Sequence, residues 1–252
     1  MADPAGHQAI EDFAALDLAT VALLLDVDGT LIDLGPSPFE VHVPGALCRS
    51  LERLLERTGG ALALVSGRPI RDVDKLFSPL KLPVVGGHGA EMRLRGGDAM
   101  LAVKHLPEKL RQELVEAATP GSGVLVEDKG YSVALHYRQS PEEEPRLREL
   151  VTRARAAFPG EPLEVLLGKA MFEIKQSGIN KGDAVRKLMK LSPFAGRVPV
   201  FVGDDVTDES VFAVLPALRG KGYSVGRKFP GLAGIFSTPD EVRAALSRLS
   251  LG

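Results

Sequence analysis

Several residue types that mark specialised proteins are scarce in this chain of 252 residues. It has one cysteine, Cys48, and no tryptophan, and aromatic residues make up 5% of it. A single cysteine cannot form an internal disulfide, so nothing in the chain requires an oxidising compartment. Clusters of cysteines that would hold zinc or an iron–sulfur centre are excluded for the same reason.

Strong net charge and long apolar segments are also lacking. The 31 basic residues nearly balance the 33 acidic ones, for a formal net charge of -2, which gives no electrostatic signal for nucleic acid or an anionic membrane. The longest purely apolar run, residues 21–25, has five residues, whereas a membrane helix needs about 20. No basic segment precedes an apolar run at the N-terminus, which argues against a signal peptide. We expect a cytoplasmic monomer with no nucleic-acid or membrane partner.

Short apolar runs alternate with helical patterns along most of the chain. The apolar runs are typical of strands buried on both faces of a parallel sheet, and they occur at 21–26, 61–66, 84–85 and 198–203. Helical patterns follow at 44–57, 70–77, 182–189, 208–217 and 241–249. Strand and helix in repetition predict a doubly wound parallel-sheet α/β core.

The middle of the chain has a different pattern. Helices are predicted at 108–118 and 142–158, each followed by a hairpin, at 124–138 and 163–175. The strands alternate, with Val133 and Leu135 on one face and Ser132, Ala134 and His136 on the other. We predict an inserted α+β domain over 106–176, with the core formed by 19–105 and 177–252. The polar face of the inserted sheet either meets water or binds a ligand.

The first chemical motif is LLLDVDGTLID at 23–33. Asp26 ends an apolar strand, at the sheet edge where open α/β folds bind ligands, and Asp28 follows two residues later. Gly29 and Thr30 allow a sharp turn that presents backbone N–H groups. The two acids could be solvated turn residues, but their position directly after a buried strand favours a functional site.

Two further motifs contain groups suited to phosphate. In VSGRP at 65–69, the Ser66 hydroxyl and the Gly67 amide suit a phosphoryl oxygen; alternatively, Ser66 caps the helix that begins near residue 70. Arg68 contacts phosphate or caps the loop. Lys181, in NKGDAV at 180–185, lies at a helix start, where the helix dipole disfavours a cation. It is more easily understood as a partner for carboxylates or phosphate.

A fourth motif, GDDVTDE at 203–209, is rich in carboxylates. Asp204, Asp205, Asp208 and Glu209 lie within six residues and repel one another unless a cation neutralises them. A set of oxygen ligands of this kind suits Mg²⁺. Capping of the next helix explains Asp208 and Glu209 but not the two earlier acids.

Together, DVDGT at 26–30, Ser66, Lys181 and GDDVTD at 203–208 resemble the motifs of the haloacid-dehalogenase-like (HAD) phosphatases. The resemblance implies that Asp26 is the nucleophile and Asp28 the general acid and base. It implies that Ser66 and Lys181 bind the phosphoryl oxygens. Mg²⁺ would be held by the Asp26 carboxylate, the Asp28 carbonyl and Asp204, supported by Asp205 and Asp208. The inserted domain would be a type 2 cap, with αββαββ order.

Three more segments look like the trehalose-6-phosphate phosphatases, namely 84–93, 126–138 and 168–185. This family resemblance implies an Mg²⁺-dependent phosphatase of trehalose 6-phosphate in trehalose biosynthesis, with a small sugar phosphate as its partner. The substrate contacts that it implies are Thr30, Arg68, His88, Gly89 and Glu91 in the core and Glu127, Lys129, Arg138, Lys169 and Glu173 in the cap. The family commonly has arginine and proline where this chain has Lys175 and Gln176.

A mixed lining of acids and bases suits a neutral sugar, whose hydroxyl groups both donate and accept hydrogen bonds. Other predictions remain open: a phosphatase of sucrose phosphate, mannosyl-phosphoglycerate or a hexose phosphate, a phosphohexomutase, or a non-catalytic regulatory subunit. Mannosyl-phosphoglycerate carries an additional carboxylate, which Glu127 and Glu173 disfavour.

The cap is expected to close over the core during turnover, with hinges near 104–107 and 177–178.

Overall fold

The computed structural model describes residues 11–35, 41–97, 100–101, 103–116, 121–168 and 170–252. The chain divides into two compact units, one made of Met1–Met100 and Asn180–Gly252, the other of Leu101–Ile179. The cap predicted over 106–176 lies inside the second unit. Its boundaries stay a prediction.

Twelve strands and seven α-helices have both ends within the described residues, and residues 11–14 are also helical. The strands are β1 (Val21–Leu25), β2 (Leu62–Val65), β3 (Val84–Gly86), β4 (Glu91–Arg93), β5 (Met100–Leu101), β6 (Leu125–Asp128), β7 (Ser132–His136), β8 (Leu163–Gly168), β9 (Met171–Gln176), β10 (Val198–Gly203), β11 (Lys221–Val225) and β12 (Gly234–Phe236). The helices are α1 (Gly45–Arg57), α2 (Ile70–Leu76), α3 (Glu108–Val115), α4 (Glu144–Ala156), α5 (Lys181–Leu188), α6 (Glu209–Val214) and α7 (Pro239–Leu251).

The larger sheet has the order β12-β11-β10-β1-β2-β3-β4-β5. Its strands from β12 to β3 are parallel, and β4 pairs antiparallel with β3. Successive residues of β1 point to opposite faces, so that Leu23 and Leu25 enter one buried cluster and Ala22 and Leu24 enter the other. Both faces are apolar because both are covered by helices.

A layer of helices covers each face of the larger sheet. On one face, α1 and α7 contact each other and contribute residues such as Leu51 and Leu246 to the same cluster as β1. On the other face, α5 and α6 contribute Val185 and Val211 to the second cluster. The predicted doubly wound α/β core is confirmed.

The second unit has a four-stranded antiparallel sheet with the order β6-β7-β9-β8. Val133, Leu135 and Phe172 lie on one face of it and pack with Leu110 of α3 and Leu147 of α4. The elements run α3, β6, β7, α4, β8, β9, which is the predicted αββαββ order. The predicted α+β fold of the inserted domain is therefore confirmed.

Some elements differ from the predictions. The short strands β4, β5, β11 and β12 were not expected; β4 has three residues and β11 reads KGYSV, without a continuous apolar run. The helix predicted over 208–217 is interrupted. A 3₁₀ turn precedes α6, and a second one starts at Pro216, because proline cannot donate the hydrogen bond that would continue the helix. None of the described helices has the length and apolar character needed to cross a membrane.

Candidate active site

Three neighbouring strands end at one edge of the larger sheet. Asp26 follows β1, Asp204 follows β10 on one side of it, and Ser66 follows β2 on the other side. Adjacent strands lie about 4.8 Å apart, so parallel strands bring these three side chains together although they are far apart in sequence. The carboxyl edge of such a sheet is where α/β proteins bind their ligands.

Lys181 joins two of the predicted site residues. Its Nζ donates to Asp26 Oδ1 and to Asp208 Oδ1, each at 2.7 Å. All three side chains are buried. Burial alone would lower the pKa of the Lys181 amine, but the charges of Asp26 and Asp208 outweigh it and raise the pKa. The lysine is therefore a fixed positive charge beside the predicted nucleophile.

The carboxylate of Asp208 also holds the loop that follows β10. Its Oδ2 accepts from the backbone N–H groups of Asp204 and Asp205, both at 3.0 Å. The Asp205 side chain in turn accepts from the backbone of Asp208, which completes a capping box around the 3₁₀ turn. Asp208, predicted as a support of the metal, thus anchors the loop and Lys181, and Asp205 caps the turn.

The turn after β1 requires glycine at its tightest point. Gly29 has φ of 81°, and a Cβ there would lie 2.2 Å from Asp204 Oδ2. Thr30 Oγ1 donates to Asp204 Oδ1 at 3.2 Å. Thr30, which was predicted to contact the substrate, is therefore in contact with a predicted metal ligand.

The acidic cluster fits a divalent cation. One carboxylate oxygen from each of Asp26, Asp204 and Asp208 lies within 4.8 Å of the others. Burial raises the pKa of Asp26 well above its ordinary value; Lys181 opposes this rise and Asp208 adds to it. Burial and the Asp208 charge raise the pKa of Asp204 to about 6, against hydrogen bonds with Asp26 and Thr30. One lysine does not balance three carboxylates, and hard oxygen donors are what Mg²⁺ prefers.

Arg68 forms a bidentate pair with the predicted general acid. Its Nε donates to Asp28 Oδ2 at 2.7 Å and its Nη2 donates to Asp28 Oδ1 at 2.6 Å. The flat guanidinium matches the carboxylate, which is the strongest geometry for such a pair. Arg68 was predicted to contact phosphate or cap its loop; in the structure it orients the Asp28 carboxylate.

The loop around Ser66 is fixed by the turn after β3. The His88 N–H donates to the Ser66 carbonyl at 3.0 Å and the Gly87 N–H donates to the Arg68 carbonyl at 2.8 Å. His88 has φ of 55°, a left-handed conformation that few residues other than glycine adopt. A Cβ on Gly67 would lie 2.5 Å from the His88 imidazole, so this ring covers the loop directly beside Ser66.

Glu91 and Gly89 connect the same turn to two helices. Glu91 Oε2 accepts from the N–H of Ile70 at 2.6 Å, at the start of α2. Gly89 has φ of 108°, and a Cβ there would lie 2.6 Å from the carbonyl oxygen of Asn180, the residue before Lys181. The Ser66 side chain does not cap α2, whose N-cap position is Pro69, so the capping explanation of Ser66 is not supported.

The predicted sugar contacts of the cap lie on or beside three adjacent strands. Glu127 is on β6, Lys129 is in the turn after it, and Glu173 is on β9. Lys129 Nζ lies 3.2 Å from Glu173 Oε1 and 3.6 Å from Glu127 Oε2. Arg138 is exposed and follows β7. Lys169 lies outside the described residues.

Several contacts at these two sites have no local sequence signal. The bond between Glu91 and the start of α2 and the pair between Arg68 and Asp28 join residues 21 and 40 positions apart. In the cap, Ser132 and His136 contact the two glutamates. Strand alternation did place Ser132 and His136 on the polar face, which is the only signal that could have indicated them.

Comparison with known proteins identifies the family of the chain. The model of the trehalose-phosphatase family matches residues 24–229. The chain is 41% identical over 247 residues to a probable trehalose-phosphate phosphatase of Sinorhizobium fredii, covering 96% of this chain and 93% of that protein. It is 40% identical over 214 residues to the trehalose-6-phosphate phosphatase of Escherichia coli, covering 82% and 78%.

Solved structures show the same fold. The C-terminal domain of C. albicans trehalose-6-phosphate phosphatase matches with a TM-score of 0.76 at 19% identity, covering 97% of this chain and 96% of that one. A phosphatase of the HAD superfamily from Bacteroides thetaiotaomicron matches with a TM-score of 0.58 at 16% identity, covering 92% and 94%. The fold is therefore that of the HAD-like phosphatases. Within that class, the chain belongs to the trehalose-phosphatase family.

Proposed function

We propose that this protein is an Mg²⁺-dependent phosphatase that hydrolyses trehalose 6-phosphate to trehalose and phosphate through an aspartyl phosphate on Asp26. The observation that supports this most is the buried Lys181, which donates at 2.7 Å to Asp26 and to Asp208 beside Asp204. A dianionic phosphate approaches a carboxylate only where fixed positive charge offsets the repulsion, and this arrangement supplies it.

In the first step, an oxygen of Asp26 attacks the phosphorus atom and the bond from phosphorus to the sugar oxygen breaks. Asp28 gives a proton to the departing oxygen, so that trehalose leaves as an alcohol. Ser66 and Lys181 hold the phosphoryl oxygens. Arg68 orients Asp28: it forms the bidentate pair with the ionised carboxylate and keeps one hydrogen bond to the other oxygen when Asp28 carries the proton.

In the second step, Asp28 accepts a proton from water, and the water oxygen attacks the phosphorus atom of the aspartyl phosphate. The bond between phosphorus and Asp26 breaks, which releases phosphate and restores the Asp26 carboxylate. Atoms and protons balance over the two steps. Asp26, the Asp28 carbonyl and Asp204 would hold Mg²⁺, which when bound draws negative charge from the phosphoryl oxygens.

The cap supplies the sugar contacts in this proposal. Glu127 and Glu173 accept hydrogen bonds from sugar hydroxyls, and Lys129, Arg138 and Lys169 donate to them. His88, Gly89 and Glu91 belong to a core turn whose observed contacts hold the Ser66 loop and the start of α2. Their proposed part in substrate binding therefore includes fixing the shape of that loop. A cytoplasmic location and a monomeric state remain predictions.

The test is phosphate release from a panel of sugar phosphates with Mg²⁺ or with a chelator. We expect preference for trehalose 6-phosphate over sucrose 6-phosphate, glucose 6-phosphate and mannosyl-phosphoglycerate, and no activity in the chelator. Asp26→Asn should abolish release. Asp33→Asn, a change to an exposed carboxylate paired with Arg243, serves as the matched control and should retain full activity.

Other outcomes separate the parts of the proposal. Equal turnover of all the sugar phosphates would contradict the proposed preference for trehalose 6-phosphate but not the proposed reaction mechanism. Conversion to an isomer without free phosphate would identify a mutase. Mass spectrometry of Asp28→Asn protein that is acid-quenched during turnover of p-nitrophenyl phosphate, whose leaving group needs no proton, should show a phosphoryl group on the peptide that contains Asp26, because only the second step is slowed. A phosphate on any other residue would overturn the mechanism.

A further inference from the structure

The polar face of the cap sheet is organised around β7. Ala134 lies opposite Glu127 of β6 on one side and opposite Glu173 of β9 on the other. Opposite residues in neighbouring strands point to the same face, so the two glutamates flank the short methyl group of Ala134. The Lys129 ammonium bridges them, at 3.2 Å from Glu173 and 3.6 Å from Glu127.

The two other residues of β7 on this face each contact one glutamate. The Ser132 hydroxyl donates to Glu173 Oε1 at 2.7 Å, the same oxygen that Lys129 contacts. On the other side of Ala134, His136 Nε2 lies 3.6 Å from Glu127 Oε2. Burial raises the pKa of Glu127, but the His136 imidazole and the Lys129 ammonium outweigh it and leave the pKa below its ordinary value.

These contacts matter because long acidic side chains are otherwise free to change rotamer. A glutamate that is to accept from a particular sugar hydroxyl loses conformational entropy when it binds, and a neighbour that fixes it beforehand removes part of that cost. The Ser132 hydroxyl is buried and donates to Glu173, and His136 Nε2 faces Glu127. This geometry suits both residues to hold the glutamates.

We propose that Ser132 and His136 are positioning residues for sugar recognition, which act through Glu173 and Glu127 respectively. This inference rests on the proposed function, since it concerns the same sugar site. It adds two residues of one strand to that site and assigns to Ala134 the role of leaving space for the Lys129 ammonium.

The experiment measures KM and kcat for trehalose 6-phosphate and for phenyl phosphate, which has no sugar, in Ser132→Ala and His136→Leu. Loss of the Ser132 hydrogen bond to Glu173, or of the close His136 contact with Glu127, predicts a KM for trehalose 6-phosphate raised about fivefold to tenfold. The ratio of kcat/KM for the two substrates should fall by a similar factor. Ser132→Thr keeps the hydroxyl and should restore the ratio. Thr152→Ala removes an exposed hydroxyl of α4 and is the matched control.

A double-mutant cycle tests whether Ser132 acts through Glu173. If it does, Ser132→Ala changes KM much less in a Glu173→Gln background than in the wild type. Wild-type ratios for both single variants, or full additivity in the cycle, would overturn the inference. A wild-type enzyme that does not prefer trehalose 6-phosphate would instead overturn the proposed function, so the two failures are distinguishable.

Discussion

At the scale of single residues, the site depends on a balance of charge around Lys181. Its ammonium lies between two buried carboxylates, Asp26 and Asp208. A carboxylate oxygen of Asp204 lies within 4.8 Å of an oxygen of each. The structure therefore gives Lys181 two partners where the sequence suggested carboxylates or phosphate in general. Asp26 and Lys181 are 155 positions apart, and no local pattern indicates this pairing.

Replacement of Lys181 by methionine should reduce both activity and stability. Two carboxylates would remain buried without a cation, which costs about 3 kcal/mol of folding free energy. We expect kcat to fall by about 100-fold to 1000-fold, because the phosphoryl group also loses a positive partner. Denaturant unfolding and phosphate release measure the two effects. Lys187→Met, on the exposed side of the same helix, should change neither, and an equally stable and active Lys181→Met protein would contradict the prediction.

The pair between Arg68 and Asp28 makes a second prediction at this scale. In Arg68→Ala the proposed general acid, Asp28, loses its orientation, so kcat for trehalose 6-phosphate should fall about 100-fold. The fall should be smaller for p-nitrophenyl phosphate, whose leaving group needs no proton. Arg68→Lys should be intermediate, since an ammonium cannot form the bidentate pair.

The exposed Arg71 provides the matched control for this prediction, and Arg71→Ala should leave both rates unchanged. A raised KM with unchanged kcat in Arg68→Ala would instead support the phosphate contact that the sequence suggested. An equal fall for both substrates would show that Arg68 does not act through the proton that Asp28 gives to the leaving group.

At the scale of elements, the turn after β3 positions two parts of the site. It fixes the Ser66 loop through hydrogen bonds from Gly87 and His88, and it packs against Asn180, which caps the helix that starts at Lys181. Glu91, at the end of the turn, caps α2. A short segment thus sets the relative positions of β2, α2 and α5.

Gly89→Ala should be far more harmful than Gly96→Ala. Both glycines have positive φ, 108° and 70°, but a Cβ on Gly89 would lie 2.6 Å from the Asn180 carbonyl, whereas Gly96 has nothing within 4 Å. We expect a loss of about 1 kcal/mol for Gly96→Ala from backbone strain. For Gly89→Ala we expect about 3 kcal/mol or more, together with lower activity as Lys181 shifts. Equal thermal midpoints for the two variants would contradict the packing argument.

At the scale of the whole molecule, the acidic cluster couples stability to pH and to metal. The pKa of Asp204 rises from 3.8 to about 6 in the folded protein. A carboxyl group with a raised pKa favours folding while it is protonated; that contribution is complete below pH 3.8 and is lost as pH rises through about 6. Metal binding requires the deprotonated form and therefore has the opposite dependence on pH.

The metal-free protein should accordingly lose thermal stability between pH about 5 and about 7.5 relative to Asp204→Asn, which cannot titrate there. Mg²⁺ should raise the melting temperature of the wild type more at the higher pH, because fewer protons must be displaced. Thermal melts of both proteins at both pH values, with Mg²⁺ and with a chelator, measure this. An equal Mg²⁺ effect at the two pH values would contradict the coupling.

Much of the fold is determined by local patterns in the sequence. Continuous apolar runs such as 21–25 and 198–203 correspond to β1 and β10, because a strand covered on both faces must be apolar throughout. Alternation predicted β7 equally well, since Val133 and Leu135 enter the apolar cluster of the second unit whereas Ser132 and His136 contact glutamates. The strands β4 and β12 were not predicted, because each has three residues, too few to show a continuous apolar run or an alternation.

The sequence alone also determined that Asp26 and Asp204 lie at one edge of the larger sheet, since a chain that leaves a parallel strand must emerge at the carboxyl edge of its sheet. Only the tertiary structure decided which side chain meets which. Arg68 pairs with Asp28, Glu91 caps α2, and Asp208 holds Lys181 and its own loop. The reason is that hydrogen bonds and ion pairs depend on distances of a few ångströms between distant segments, and sequence patterns report only the neighbours along one strand or helix.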